Sequence, residues 1–448
     1  MLRDGYDQEL STRTVDARDA YVQGADALLG AMAEVDDHLQ RAVDADPAFA
    51  LGWIAFARSR FLAGDFMGAR EMAAKARVLA QQATPREQGH VNAIALALEG
   101  KPVESLAATR AHLTEYPRDA LVLAPATGVF GLLGFSGRPG REAELLDWLE
   151  SLAPFYRGDW WFASVHAFAE CECGKLSEAR ERIEGSMASN ARNAHGAHVL
   201  AHVLHESGEV EACLAYLQNW LAGYEQRGLL HCHLSWHLAL SALLLGRTEL
   251  AWHVYWHSVH PGGSWGPSLN TVTDSVSFLW RARLASERVG PELWQQVKSF
   301  ALESFPKSGL PFVDVHVAIA CFAADDQAGL QRLRREVGER LAAGRVPAGD
   351  ALPLLLDAFG AFGAGDWENA IERFEQALPS TVRIGGSRAQ RDIVEHSLLA
   401  AYLEAGLPQQ ASRLLRARLE RRPVVEVPAL RSRQAGGDQT SSTRIQAS

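Results

Sequence analysis

One pattern constrains this chain more than any other. A glycine recurs just ahead of an apolar-periodic segment, and the fifth residue after it is small. Gly64 is followed by Ala69, Gly100 by Ser105, Gly174 by Ala179 and Gly208 by Cys213; Gly246 is followed by Ala251, Gly365 by Ala370 and Gly406 by Ala411. Neighbouring members stand mostly 34 to 41 residues apart. Glycine enters left-handed backbone without steric cost, so it permits a tight turn between two helices. A small residue on the second helix then lets the pair approach closely. Units of this length cannot bury an apolar face alone; they must stack. Two long gaps, Gly100 to Gly174 and Gly246 to Gly365, leave room for degenerate units, with Gly137 and Gly290 as markers inside them.

The best single copy is AGDWENAIERFEQALP, Ala364 to Pro379. Its Gly365, Ala370, Phe374, Ala377 and Pro379 resemble the turn and second helix of a tetratricopeptide repeat. The aromatic fills the gap to the next unit, and the proline stops the helix. Strand signals are nearly absent. The expected fold class is all-α: a tetratricopeptide-like helical-hairpin solenoid, an α/α superhelix of about ten helix pairs. It would occupy residues 1–422 as one domain, with room to close around a central cavity. Residues 423–448 are polar and aperiodic, and are expected to form a disordered tail.

Composition narrows the function classes. The 448 residues carry a formal net charge of −10. That balance disfavours a nucleic-acid partner, because phosphate binding needs a basic face. Apolar runs such as Ala239 to Leu245 are too short to span a bilayer, and the N-terminus has no secretory core. Five cysteines, an odd number without a paired framework, point to reduced thiols and a cytoplasmic location. Cys171 and Cys173 lack the second pair that a structural zinc site requires. No nucleophile elbow, phosphate loop or dinucleotide fingerprint is present.

Histidine is distributed unevenly. Ten of 16 histidines lie between His195 and His260. On a helix over Asn193 to Glu206, His195, His198, His202, His205 and Glu206 share one face. On the next inner helix, His231 to Leu245, His233, His237 and Ser241 form a polar stripe. The preceding one, Asp159 to Cys173, carries His166 and Glu170 at i and i+4. Adjacent helices stack roughly 8–10 Å apart, so these side chains can meet. The pairs His198/His202 and His233/His237 have the spacing of helical metal sites, with Glu170 or Glu206 to complete or orient them. Three readings stay open: a hydrogen-bonded structural network, a metal-free ligand pocket, or a divalent metal site. No full motif such as His-Glu-x-x-His is present.

Other residues carry weaker signals. Arg86, Glu87 and His90 open the helix after Pro85, where capping alone can explain Glu87. Asp274 and Arg281 stand one heptad apart, as an ion pair or as groove residues. Asp314 and His316 open another helix, with Asp314 expected as its N-cap. Gly385, Gly386 and Ser387 precede a helix start, as an anion site or, slightly favoured, a flexible connector. Tryptophans in the middle of the chain, including Trp236 and Trp280, are expected to pack between repeats.

At these residues the sequence resembles the tetratricopeptide repeat protein 38 family. The carriers are Arg86 to Ser105, His198 to Glu209, Cys232 to Gly246, Asp274 to Leu284, Pro311 to Ala320 and Gly385 to Asp392. The resemblance implies a cytoplasmic α-helical repeat protein and imports no reaction. It also implies that Glu87, His90, His198, His202, His233, His237, Asp274, Asp314, His316, Arg391 and Asp392 belong to a family pattern, gathered around one cavity.

Two functions follow as expectations. In the first, the chain binds a small molecule or a peptide or protein in a concave pocket. That pocket is lined by His90, His166, Glu170, His198, His202, Glu206, His233, His237, Asp274 and His316. In the second it is an enzyme: His198, His202, His233 and His237 hold a divalent metal with a glutamate as general base, or one histidine shuttles protons. The ligand, any metal cofactor and the catalytic residues stay unspecified by the sequence.

Overall fold

In the computed structural model, residues 2–421 are described; the tail expected from residue 423 lies outside them. Among the described residues there are 22 α-helices, and strand-type pairing is limited to an isolated bridge between Arg3 and Glu9. The all-α expectation holds, and the chain proceeds as consecutive helical hairpins of the tetratricopeptide-like kind.

The turns explain why. Gly64, Gly100, Gly174, Gly208, Gly246, Gly365 and Gly406 all have positive φ, from 70° to 94°. At Gly365 the N–H donates to the Phe362 carbonyl, and the following Asp366 N–H donates to Ala361. Those two bonds satisfy carbonyls that a helix end leaves open, and they reverse the chain. The small residue five positions on is buried at every one of these turns: Ala69, Ser105, Ala179, Cys213, Ala251, Ala370 and Ala411.

The two long gaps behave differently. Between Gly246 and Gly365 the same turn is made by Ser286 and Asp325, with φ of 67° and 56°. Their N–H groups donate to Arg283 and Phe322, as the glycines do to their own helices. Gly290, expected as a marker, instead precedes the helix Pro291–Ser304 with an ordinary negative φ. Gly137 does have positive φ, but it lies in a loop where its carbonyl accepts from Arg383 Nε at 2.8 Å. A Cβ there would meet the Pro347 carbonyl, so the glycine serves close backbone approach.

The packing separates two compact units. Among the described residues, one comprises 2–134, Gly140–Leu200 and Tyr224–His231; the other comprises Phe135–Pro139, Ala201–Gly223 and 232–421. The first buries Leu39, Phe49, Leu51, Ile54, Leu123, Leu149 and Trp161. In the second, Trp280 is fully buried, meets Phe322, Phe359 and Phe362 edge-on, and donates its indole N–H to Ser397 at 2.8 Å. No helix among the described residues is long and apolar enough to cross a membrane.

Candidate functional site: a buried imidazole cluster

Two helices carry the cluster, Ala194–Glu206 and His231–Leu244. Asn193 starts the first: its side-chain oxygen accepts from the Gly196 N–H at 2.9 Å. This helix is unbroken from Ala194 to Glu206. His198 and His202 therefore keep their i,i+4 relation, one turn apart. His233 and His237 have the same relation on the second helix.

His198, His202, His233 and His237 each offer one ring nitrogen, and these four atoms lie within 4.8 Å of one another. The rings of His202 and His237 stand 4.5 Å apart, and those of His233 and His237 4.9 Å apart, both edge to face. None of the four faces bulk water: exposure is 7% for His198, 0% for His202, 4% for His233 and 3% for His237. The polar stripe is packed into the fold.

Asp274, on the helix Ser268–Leu284, supports the cluster from outside. Its carboxylate accepts from His233 Nδ1 at 2.9 Å. Burial pushes its pKa above the ordinary range, and His233 and Arg281 offset part of that rise. Asp274 and Arg281, read as an ion pair or as groove residues, are both buried. Arg281 turns its guanidinium to Ser277 and to the Ala389 and Gln390 carbonyls, the latter two at 2.8 and 3.3 Å. His233 is 41 residues from Asp274 in sequence, beyond the reach of helical periodicity. The His233 ring also stacks on Trp236, with centroids 5.2 Å apart and planes 11° from parallel. Contacts on its edge and its face thus fix the orientation of this imidazole.

The remaining candidates have other surroundings. His90 is in the first unit, where Asp119 accepts from His90 Nδ1 at 3.0 Å, His112 Nε2 at 2.9 Å and Arg86 at 3.0 Å. Burial raises the Asp119 pKa, but the two histidines and Arg86 outweigh it and hold the carboxyl well below its usual range. Asp119 was not singled out in the sequence; only its place before the Ala120–Leu123 helix marks it. Glu87 forms a capping box with Thr84 and accepts from the Ser11 N–H at 2.9 Å, so capping accounts for it. Beside this network, a cavity lined by Asp4, Tyr6, Tyr21, Arg118 and Asp119 holds about 10 Å³, no more than one water.

His166 stands 3.7 Å from Glu170, and Arg182 donates twice to that carboxylate, at 2.9 and 2.7 Å. Burial and Arg182 both lower the His166 pKa. Glu170 is thus clamped by an arginine in the first unit, an arrangement poorly suited to a mobile general base. Glu206 lies 3.8 Å from Arg388. His316 donates from Nδ1 to the Phe312 carbonyl at 2.7 Å; burial and Arg281 push its pKa down to about 4. Asp314 is not the expected N-cap. It lies in the first turn, where it accepts from Ser308 Oγ at 2.9 Å and from the Gly309 N–H, and burial pushes its pKa up to about 6.

At Gly385–Ser387 the helix start is filled by a reciprocal Ser387–Gln390 capping box, which favours the connector reading. Asp392 accepts two hydrogen bonds from the buried Arg418, at 3.0 and 2.8 Å. These polar residues therefore divide among several local networks, of which the four-imidazole cluster is one.

No family model matches the chain. Two solved structures are similar to it over most of its length. One, the Naa15/Naa10 complex bound to HypK-THB, is 13% identical, covering 96% of this chain and 67% of that one at a TM-score of 0.23. The other, the TPR domain of P58(IPK), is 14% identical, covering 90% and 99% at a TM-score of 0.21. The fold assignment rests on the hairpins and their turns.

Proposed function

We propose that this chain is a tetratricopeptide-like binding protein whose buried imidazole cluster holds a small ligand. The supporting observation is the convergence of His198, His202, His233 and His237 within 4.8 Å, all but enclosed. Four buried imidazoles on adjacent turns of two helices cost solvation energy that an apolar core would not. A ligand-holding role gives that cost a return. The burial also limits the ligand's size at this place: a peptide backbone has no access to rings exposed by 7% or less. Protein partners, which a helical-repeat scaffold suits in general, would dock elsewhere on its surface.

The resemblance blocks around Arg86, His198, Cys232 and Asp274 support kinship with the tetratricopeptide repeat protein 38 family. The odd cysteine count supports a reducing compartment.

The test is native mass spectrometry of the untagged full chain as purified, compared with its denatured mass. A mass excess carried by the wild type and missing from a folded His202→Ala/His237→Ala variant is expected. An identical native and denatured mass, with no gain on soaking in cell extract filtrate, would overturn the reading.

A further inference from the structure

We infer that the cluster is a binding site for a late first-row divalent transition-metal ion, Zn²⁺ above the others, with Asp274 orienting one ligand from the second layer. The inference rests on the ligand-holding reading above and names the ligand's class. It draws on three observations.

The first is the donor set. Four imidazole nitrogens from two i,i+4 pairs lie within 4.8 Å of one another. A tetrahedral ion with bonds of about 2.0–2.1 Å needs nitrogens roughly 3.3–3.4 Å apart. The rings must close by an ångström or so, a change that rotation about side-chain torsions can supply. Nitrogen donors without thiolate or carboxylate in the first layer suit zinc, copper and nickel, and disfavour magnesium and calcium.

The second is the outer layer. Asp274 sits 2.9 Å from His233 Nδ1 and is itself 1% exposed. A carboxylate on one ring nitrogen sets the tautomer so that Nε2 presents its lone pair. It also makes that nitrogen more basic and offsets part of a buried dication's charge. The Trp236 ring stacked on His233 holds the plane. Nearby Arg281, whose guanidinium carbon stands 5.6 Å from the Trp236 ring centre, directs its N–H groups to backbone carbonyls.

The third is size. The His202–His237 and His233–His237 ring centres are 4.5 and 4.9 Å apart. That spacing is on the scale of a single ion held between ring nitrogens.

The test uses the untagged full chain, since an affinity tag of histidines would itself bind metal. Plasma mass spectrometry of the purified protein is expected to find about one zinc, copper or nickel per chain. After stripping with chelator, Co²⁺ titration is expected to develop the intense visible bands of a tetrahedral nitrogen site and to saturate at one equivalent. Asp274→Asn leaves all four imidazoles in place; it should weaken Zn²⁺ binding by about 10- to 100-fold in competition with a chromophoric chelator. Absence of metal as purified, together with no Co²⁺ bands at micromolar protein, overturns the inference, and needs no variant to fold. Metal absence with an organic mass excess in the native spectrum also overturns it while sparing the ligand-holding reading. Wild-type metal binding that is unchanged in Asp274→Asn removes the orienting role of that residue.

Discussion

His233 donates through Nδ1 to Asp274 at 2.9 Å, joining two helices through a pair of residues that are each less than 5% exposed. Removing the carboxylate leaves a buried imidazole N–H without that acceptor. Such losses cost about 1–3 kcal/mol. Asp274→Ala should therefore lower the urea midpoint of the metal-free protein. Asp274→Asn, which keeps an acceptor, should lower it less. An Asp274→Ala midpoint equal to wild type would show that the contact contributes nothing to stability.

A larger effect is expected at Asp119. It receives hydrogen bonds from Arg86, His90 and His112, and Arg86 is only 5% exposed. Breaking a buried ion pair from one side strands the other charge, at a cost of roughly 3–5 kcal/mol. Asp119→Ala should unfold at clearly lower temperature than Asp274→Ala, as read by circular dichroism. Because the Asp119 pKa is depressed in the fold, its contribution is present at neutral pH. It is lost as pH falls below the ordinary carboxyl range toward the folded-state value.

His316 produces the opposite kind of acid sensitivity. Its pKa is pushed down to about 4, from 6.5 in an unperturbed ring. The unfolded chain therefore binds the proton first. Stability is unaffected above about pH 6.5 and declines as pH falls from there toward 4, by up to about 3 kcal/mol. His316→Asn keeps a donor near the Phe312 carbonyl but cannot titrate. Plotting the difference in unfolding free energy between wild type and variant against pH should show a slope over that window and none above it. A flat difference would mean the ring is not buried in its neutral form.

The turns offer a test in both directions. Gly64 has φ of 94°, and a Cβ there would meet nothing within 4 Å. Gly64→Ala should thus cost about 1 kcal/mol of backbone strain and no clash. Asp325 holds φ of 56° with a side chain that left-handed backbone disfavours. Asp325→Gly should raise the melting temperature, or leave it level where the glycine's greater unfolded-state freedom cancels the relief. A fall of several degrees would show that the Asp325 side chain supports the turn.

Much of the architecture was legible because it is local. Turn glycines and buried small residues at fixed offsets follow from steric rules acting within a few residues. Gly365 and Ala370 could be paired on paper. Ser286 and Asp325 could not, because nothing local distinguishes a strained serine or aspartate from a relaxed one until neighbouring helices hold it there. The imidazole stripe was similarly legible along each helix. Its partners were not. A heptad relates Asp274 to Arg281 along one helix, but only tertiary packing brings Asp274 to His233. Asp119 and His112, which surround His90, come from other segments of the chain and follow no local periodicity with it.

By itself, then, the sequence determined the helical-hairpin repeat and the two i,i+4 histidine pairs. Both depend on periodicities of the backbone that every residue carries along with it. Only the tertiary structure decided that those pairs meet one another, that Asp274 backs one of them, and that all of them are shut away from water. Which helix faces lie together is set by the summed packing of side chains distant in sequence, and no short stretch of chain contains that sum.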